Sequence, residues 1–138
     1  MPAGIMRYKP HGDATRGKFD LDFKVVMTGN GTPANMTFAV TGGSRYITSV
    51  TRTGTGAYRI TLAHKYKSLI GFHATIGDAT ARTTVVQYDS DDVDGSTPYV
   101  DFATRAPTAA DDTALVDTDL ANSVTLTVFF KLVLEDKA

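Results

Sequence analysis

The chain of 138 residues has no cysteine and no tryptophan. Without cysteine there is neither a disulfide framework nor a thiolate metal site, and the composition suits a reducing cytoplasm. Glutamate is almost missing too, with Glu135 as the single example. Helices built on Glu/Lys pairs are therefore nearly excluded. No apolar run approaches the roughly 20 residues that span a bilayer. Residues 1–18 hold no apolar core of a signal peptide, so the expectation is a soluble, unexported protein with no membrane partner. Charge of one sign is lacking as well: the net charge is −1 and the pI near 6.3. That gives no overall pull toward nucleic acid.

What is abundant is threonine, which recurs in nearly every candidate strand and covers a solvated sheet face without charge. The length fits one domain with a real core.

Residues 49–76 are the clearest segment. Tyr58, Ile60 and Leu62 share one face, after a break at Thr53-Gly54-Thr55-Gly56. Ile70, Phe72, Ala74 and Ile76 then alternate in a second run, and Tyr58, Ile60, Leu62, Ile70, Phe72 and Ile76 are expected in the core. Period-two apolar alternation marks half-buried strands, and the glycine break between two such runs marks a hairpin. Phe19 to Met27, Met36 to Val40, Tyr46 to Arg52, Thr83 to Tyr88 and Tyr99 to Arg105 supply further strands. The last run is the longest: Val124, Leu126, Val128, Phe130, Leu132 and Leu134 alternate with Ser123, Thr125, Thr127, Phe129, Lys131 and Val133. Residues 89–96 and 106–122 read as polar loops. Eight or so strands with no helix predict an all-β fold, an antiparallel β-sandwich of jelly-roll or Ig-like type. It would span residues 19–138, behind an extended arm of residues 1–18.

The arm mixes Pro and Gly with Arg7, Lys9, Arg16 and Lys18, and carries Ile5, Met6 and Tyr8 as apolar anchors. A loose terminus and an arm ordered against a partner are both open. The acidic loop offers the one metal candidate, a Ca²⁺ site from Asp89, Asp91, Asp92 and Asp94. It is not an EF-hand, because Val93 and Asp94 stand where a ligand and Gly belong and no Glu follows. A solvated loop is the expectation, here and at Asp111, Asp112, Asp117 and Asp119, and no metal or cofactor is expected. His11, His64 and His73 are too scattered to argue a metal site, and His73 should face away from the core. No nucleophile elbow, zincin, phosphate-loop or dinucleotide motif occurs, so the chain reads as a non-enzyme.

Arg45, Arg52, Arg59, Lys65 and Lys67 surround the central hairpin with Tyr46, Tyr58 and Tyr66. Interleaved aromatics would serve single-stranded nucleic acid. Arg and Tyr also make protein–protein hot spots, and that reading is preferred. Phe129 and Val133 fall on the outer face of the last strand, which points to a second covered side. Arg45, Tyr46, Arg52, Arg59, Phe129 and Val133 are thus the expected subunit interface.

The motifs SVTRTGTGAYRITL, HKYKSL and IGFHATI, with the closing NSVTLTVFFKL after an Asp/Ala-rich loop, resemble small virion proteins of tailed bacteriophages. The resemblance covers about the second two-thirds of the chain. It implies a capsid decoration (cement) protein, often a homotrimer, bound to the major capsid protein on the virion surface after synthesis in the host cytoplasm. Ile5, Met6, Arg7, Tyr8, Lys9, Arg16 and Lys18 of the arm are then the expected capsid-facing residues. A tail or baseplate adaptor is the alternative, and a carbohydrate-binding module a weaker one, since sugar platforms favour Trp.

Overall fold

The computed structural model describes residues 20–77, 84–107 and 114–134. The arm with Ile5, Met6, Arg7, Tyr8, Lys9, Arg16 and Lys18 lies outside them, as do His11, Phe19, Asp111, Asp112 and Glu135. Among the described residues nine strands follow one another: β1 (Asp20–Asn30), β2 (Thr37–Gly42), β3 (Ile47–Gly54), β4 (Ala57–Leu62), β5 (Ser68–Gly77), β6 (Val85–Asp91), β7 (Tyr99–Pro107), β8 (Leu115–Asp117) and β9 (Thr125–Val133). They form two antiparallel sheets, one ordered β2-β1-β9-β5 and one ordered β3-β4-β7-β6 with β8 also on β7. The all-β sandwich expected from the alternation is what the chain adopts.

Alternation explains the layers. Phe23, Val25 and Met27 of β1 and Leu126, Val128, Phe130 and Leu132 of β9 are buried, while the residues between them face outward. The opposing sheet contributes Tyr58, Ile60, Leu62, Val100 and Phe102. Rings bind the layers: Phe72 of β5 stacks on Phe102 of β7 at 6.3 Å, and Phe38 of β2 meets Tyr58 of β4 edge-on at 5.5 Å. Truncating Phe102 to Ala would cost about 3–5 kcal/mol.

The β3–β4 hairpin turns at Gly56, whose φ of +64° favours glycine. A Cβ there would meet Thr104 O at 2.6 Å and Thr118 N at 2.8 Å. The hairpin tip therefore presses against β7 and the chain after β8, and Thr104 N–H donates to Gly56 O at 2.8 Å.

Three expectations need correction. Ile70 is 53% exposed rather than in the core, because a register shift between Leu69 and Gly71 turns it outward. The strand placed at 83–88 runs on through Asp91, so Asp89 and Asp91 belong to β6 and not to a loop. Within the expected loop 106–122, Leu115–Asp117 pairs with Arg105 to Pro107 as β8.

Candidate functional site: an apolar face of the four-stranded sheet

The outer face of the β2-β1-β9-β5 sheet follows from the register of its central strand. Lys131 of β9 stands between Asp22 of β1 and Gly71 of β5, and Phe129 stands between Lys24 and His73. Phe129 is 40% exposed although it is a large apolar ring on a central strand. His73 stacks on it at 6.0 Å with an interplanar angle of 27°, and faces away from the core as expected. Lys131 Nζ approaches Asp22 Oδ1 at 3.0 Å. Because Gly71 has no side chain, the row is open beside Lys131. A hollow of about 370 Å³ results, lined by Asp22, Gly71, His73, Phe129, Phe130 and Lys131.

Such a hollow takes one apolar side chain on a rigid floor, with a cation, a carboxylate and an imidazole on its rim. That is the make-up of a protein–protein contact, in which an apolar centre sits inside a polar rim. A second hollow of about 340 Å³ adjoins it around Leu69, Ile70, Gly71, Phe72 and Tyr88, where the edges of β5 and β6 meet. Tyr88 is 43% exposed. Its hydroxyl donates to Asp91 Oδ2 at 2.6 Å, and that bond, ahead of burial, raises the phenol pKa to about 12.

The sequence-predicted interface residues are not brought together. Phe129 and Val133 share the outer face of β9. Arg45 is exposed and lies 5.2 Å from the Tyr46 ring, which itself stacks on Phe23 at 4.6 Å. Arg59 forks onto Asp101 with two hydrogen bonds of 2.8 Å and covers the Tyr99 ring at 3.6 Å. The hydrogen bond to Asp101 leads the upward shift of its pKa. Tyr58 and Tyr66 are buried, so the interleaved aromatics do not form a platform for bases.

Arg52 binds Asp119 through Nε at 2.9 Å and Nη2 at 3.0 Å. Asp119 Oδ1 also accepts from Gly56 N–H at 2.8 Å and from the Tyr58 hydroxyl at 3.4 Å. The Tyr58 hydroxyl in turn accepts from Leu120 N–H at 2.8 Å. The Arg52 hydrogen bond, with help from Gly56, holds the Asp119 carboxyl below its ordinary range, and burial raises the Tyr58 phenol. Read as one solvated carboxylate among several, Asp119 is instead the anchor of the hairpin tip.

The acidic residues are spread along a strand and a turn. Asp91 accepts from Tyr88, while Val93 is buried and its carbonyl accepts from Tyr66 N–H at 2.8 Å. Among the described residues no group of three or more His, Cys, Asp or Glu is arranged to hold a metal ion. No described helix is long and apolar enough to cross a membrane. What the sequence reading missed is the role of Gly71, which looks like any strand glycine until its neighbour Lys131 is known. Comparison with protein-family models, with curated proteins and with solved structures gives no match.

Proposed function

We propose that this chain is a non-enzymatic structural protein of a bacteriophage particle. In this reading it is a decoration (cement) protein that binds the major capsid protein on the outer shell and stabilises the head, as a homo-oligomer and most simply a trimer. One observation carries the reading: the hollow at Gly71 with exposed Phe129, on a rigid sheet face, has the make-up of a protein-docking surface. The resemblance borne by residues 49–76 supplies the kind of partner.

Physically, the role asks for shape and repetition, not for chemistry. A stiff sandwich presenting one apolar socket per copy gains little from a single contact. Many copies on one shell, linked through their own subunit contacts, add their contacts by avidity.

The test is size-exclusion chromatography with light scattering, followed by cosedimentation with emptied or expanded heads. Oligomers that sediment with heads, and lose this when Phe129→Asp is introduced, are the expected result. A monomer that ignores heads overturns the proposal, and sedimentation with tails alone replaces it by a tail or baseplate role.

A further inference from the structure

We propose that Asn30 is a self-modification site: its carboxamide condenses with the backbone nitrogen of Gly31, and hydrolysis leaves aspartate or isoaspartate at position 30. Asn122, across the end of the sandwich, is the brake on that reaction. This goes beyond the virion reading and does not depend on it.

The asparagines of the chain are Asn30, Asn35 and Asn122, and a glycine follows only the first. Attack by the next residue's nitrogen on an asparagine side chain is limited by crowding, and glycine carries no Cβ to crowd it. Asn30 closes β1 and is exposed among the described residues, as are residues 31–35 of the turn toward β2. The bonds that fix this turn run through backbone atoms of the pair and leave the carboxamide out. Thr37 Oγ1 donates to Asn30 O at 3.4 Å, and Gly31 N–H donates to Asn122 Oδ1 at 3.0 Å. Gly31 stands at a φ of +105°, which glycine adopts freely. The other asparagines are placed differently. Asn35 precedes the buried Met36, and Asn122 precedes Ser123 with its own carbonyl taken by Gly31.

The reaction needs only water and hydroxide. Gly31 N loses its proton to hydroxide and bonds to Asn30 Cγ. The Cγ–Nδ2 bond breaks, the leaving nitrogen takes a proton from water and departs as ammonia, and a cyclic imide joins the two residues. Water then opens the imide. Cleavage between Cγ and Gly31 N leaves an ordinary aspartate. Cleavage between the residue 30 carbonyl carbon and Gly31 N leaves an isoaspartyl link, with an extra carbon in the main chain and a new carboxylate. The brake follows from the donor: a nitrogen whose N–H is held by Asn122 reaches Cγ only when the turn opens locally. Asn122 is itself held in place, since Ser123 N–H donates to Gly29 O at 2.9 Å and Gly29 N–H to Val124 O at 3.0 Å. The same segment is pinned to the other sheet, where Asp119 accepts from Gly56 N–H and Leu120 N–H donates to the Tyr58 hydroxyl.

The test incubates the full chain at mildly alkaline pH and follows each asparagine by peptide mapping. Asn30 is expected to convert ahead of Asn35 and Asn122, with isoaspartate among the products, since direct hydrolysis of the side chain yields aspartate alone. In Asn122→Ala the conversion is expected to run about fivefold faster, the factor that one ordinary hydrogen bond supplies against opening of the turn. Asn35 monitors wider unfolding and should keep its parental rate in the variant. In concentrated urea, parent and variant should convert Asn30 equally, because the brake belongs to the folded turn. Aspartate without isoaspartate, or Asn30 no faster than Asn35, overturns the proposal. So does an equal rate in the folded variant, a matching rise at Asn35, or a difference that persists in urea.

Discussion

Arg52 and Asp119, separated by 67 positions in the chain, are joined by a two-pronged ion pair of 2.9 and 3.0 Å between β3 and the segment that follows β8. The pair is mostly buried, with side-chain exposures of 22% and 14%. Its acid also satisfies the backbone N–H of Gly56 in the hairpin turn. Removing the acid leaves a guanidinium, an amide and a phenol short of an acceptor. Asp119→Ala is therefore expected to cost about 2–3 kcal/mol, read as a lower urea midpoint. Arg52→Ala combined with Asp119→Ala should cost less than the two separate losses added, since both remove the same contact.

Acid should act through the same carboxyl. Its folded-state pKa lies below the ordinary value, chiefly because of Arg52. The unfolded chain thus binds the proton more readily, and the stabilisation is complete above the ordinary carboxylate range. It is lost as pH falls through that range and below. Urea midpoints measured from neutral to acid pH should fall, and Asp119→Asn should flatten that fall. An unchanged slope in the variant would remove Asp119 from the account.

Tyr88 gives a spectroscopic check at the other extreme. The phenol is held protonated by Asp91, with its pKa raised to about 12. A folded value above the unfolded one of about 10 means that its contribution is present below that pH and lost as pH rises through the folded value. Phenolate absorbance should show Tyr88 titrating late, beside the raised phenols of Tyr58 and Tyr66. Asp91→Asn should bring it back toward the ordinary value.

Gly71 offers a change that separates stability from the proposed docking. A Cβ at this position would meet Lys131 Cβ at 3.7 Å, an ordinary contact. Gly71→Val should leave stability unchanged or raise it by up to about 1 kcal/mol, since glycine in a strand is entropically unfavourable. The same change fills the hollow and is expected to abolish cosedimentation with heads. A variant that binds as well as the parent would remove this hollow from the proposed docking.

Much of the sandwich was legible because side chains on a strand must choose a face. The alternation in Val124 to Leu132 and in Phe23 to Met27 named buried residues of the two central strands correctly, whereas Leu134, where the same run was carried on, is 41% exposed. Ile70 defied the same rule because a single register shift re-aims a side chain, and no residue nearby announces it. β6 was cut short at Tyr88 because four acids in six residues looked like a loop, whereas Asp91 finds the Tyr88 hydroxyl and Ser90 lies 3.5 Å from Asp101. The partners of Arg52 and Arg59 were illegible for a plainer reason. They lie 67 and 42 positions away, and spacing along a chain carries no trace of such pairs.

The place of β9 sets the order in which this protein can be made. The strand between β1 and β5 is the last of the described elements, and Thr125 Oγ1 meets Thr28 Oγ1 across 97 positions. On the ribosome, the sheet of β3, β4, β6 and β7 can assemble while β1 and β5 wait without their shared neighbour. In that order of synthesis Phe23, Val25 and Met27 of β1 lack their neighbouring strand until β9 has been made. Loop closure over such a distance makes folding slow, and the nascent chain must be kept from others of its kind through that interval.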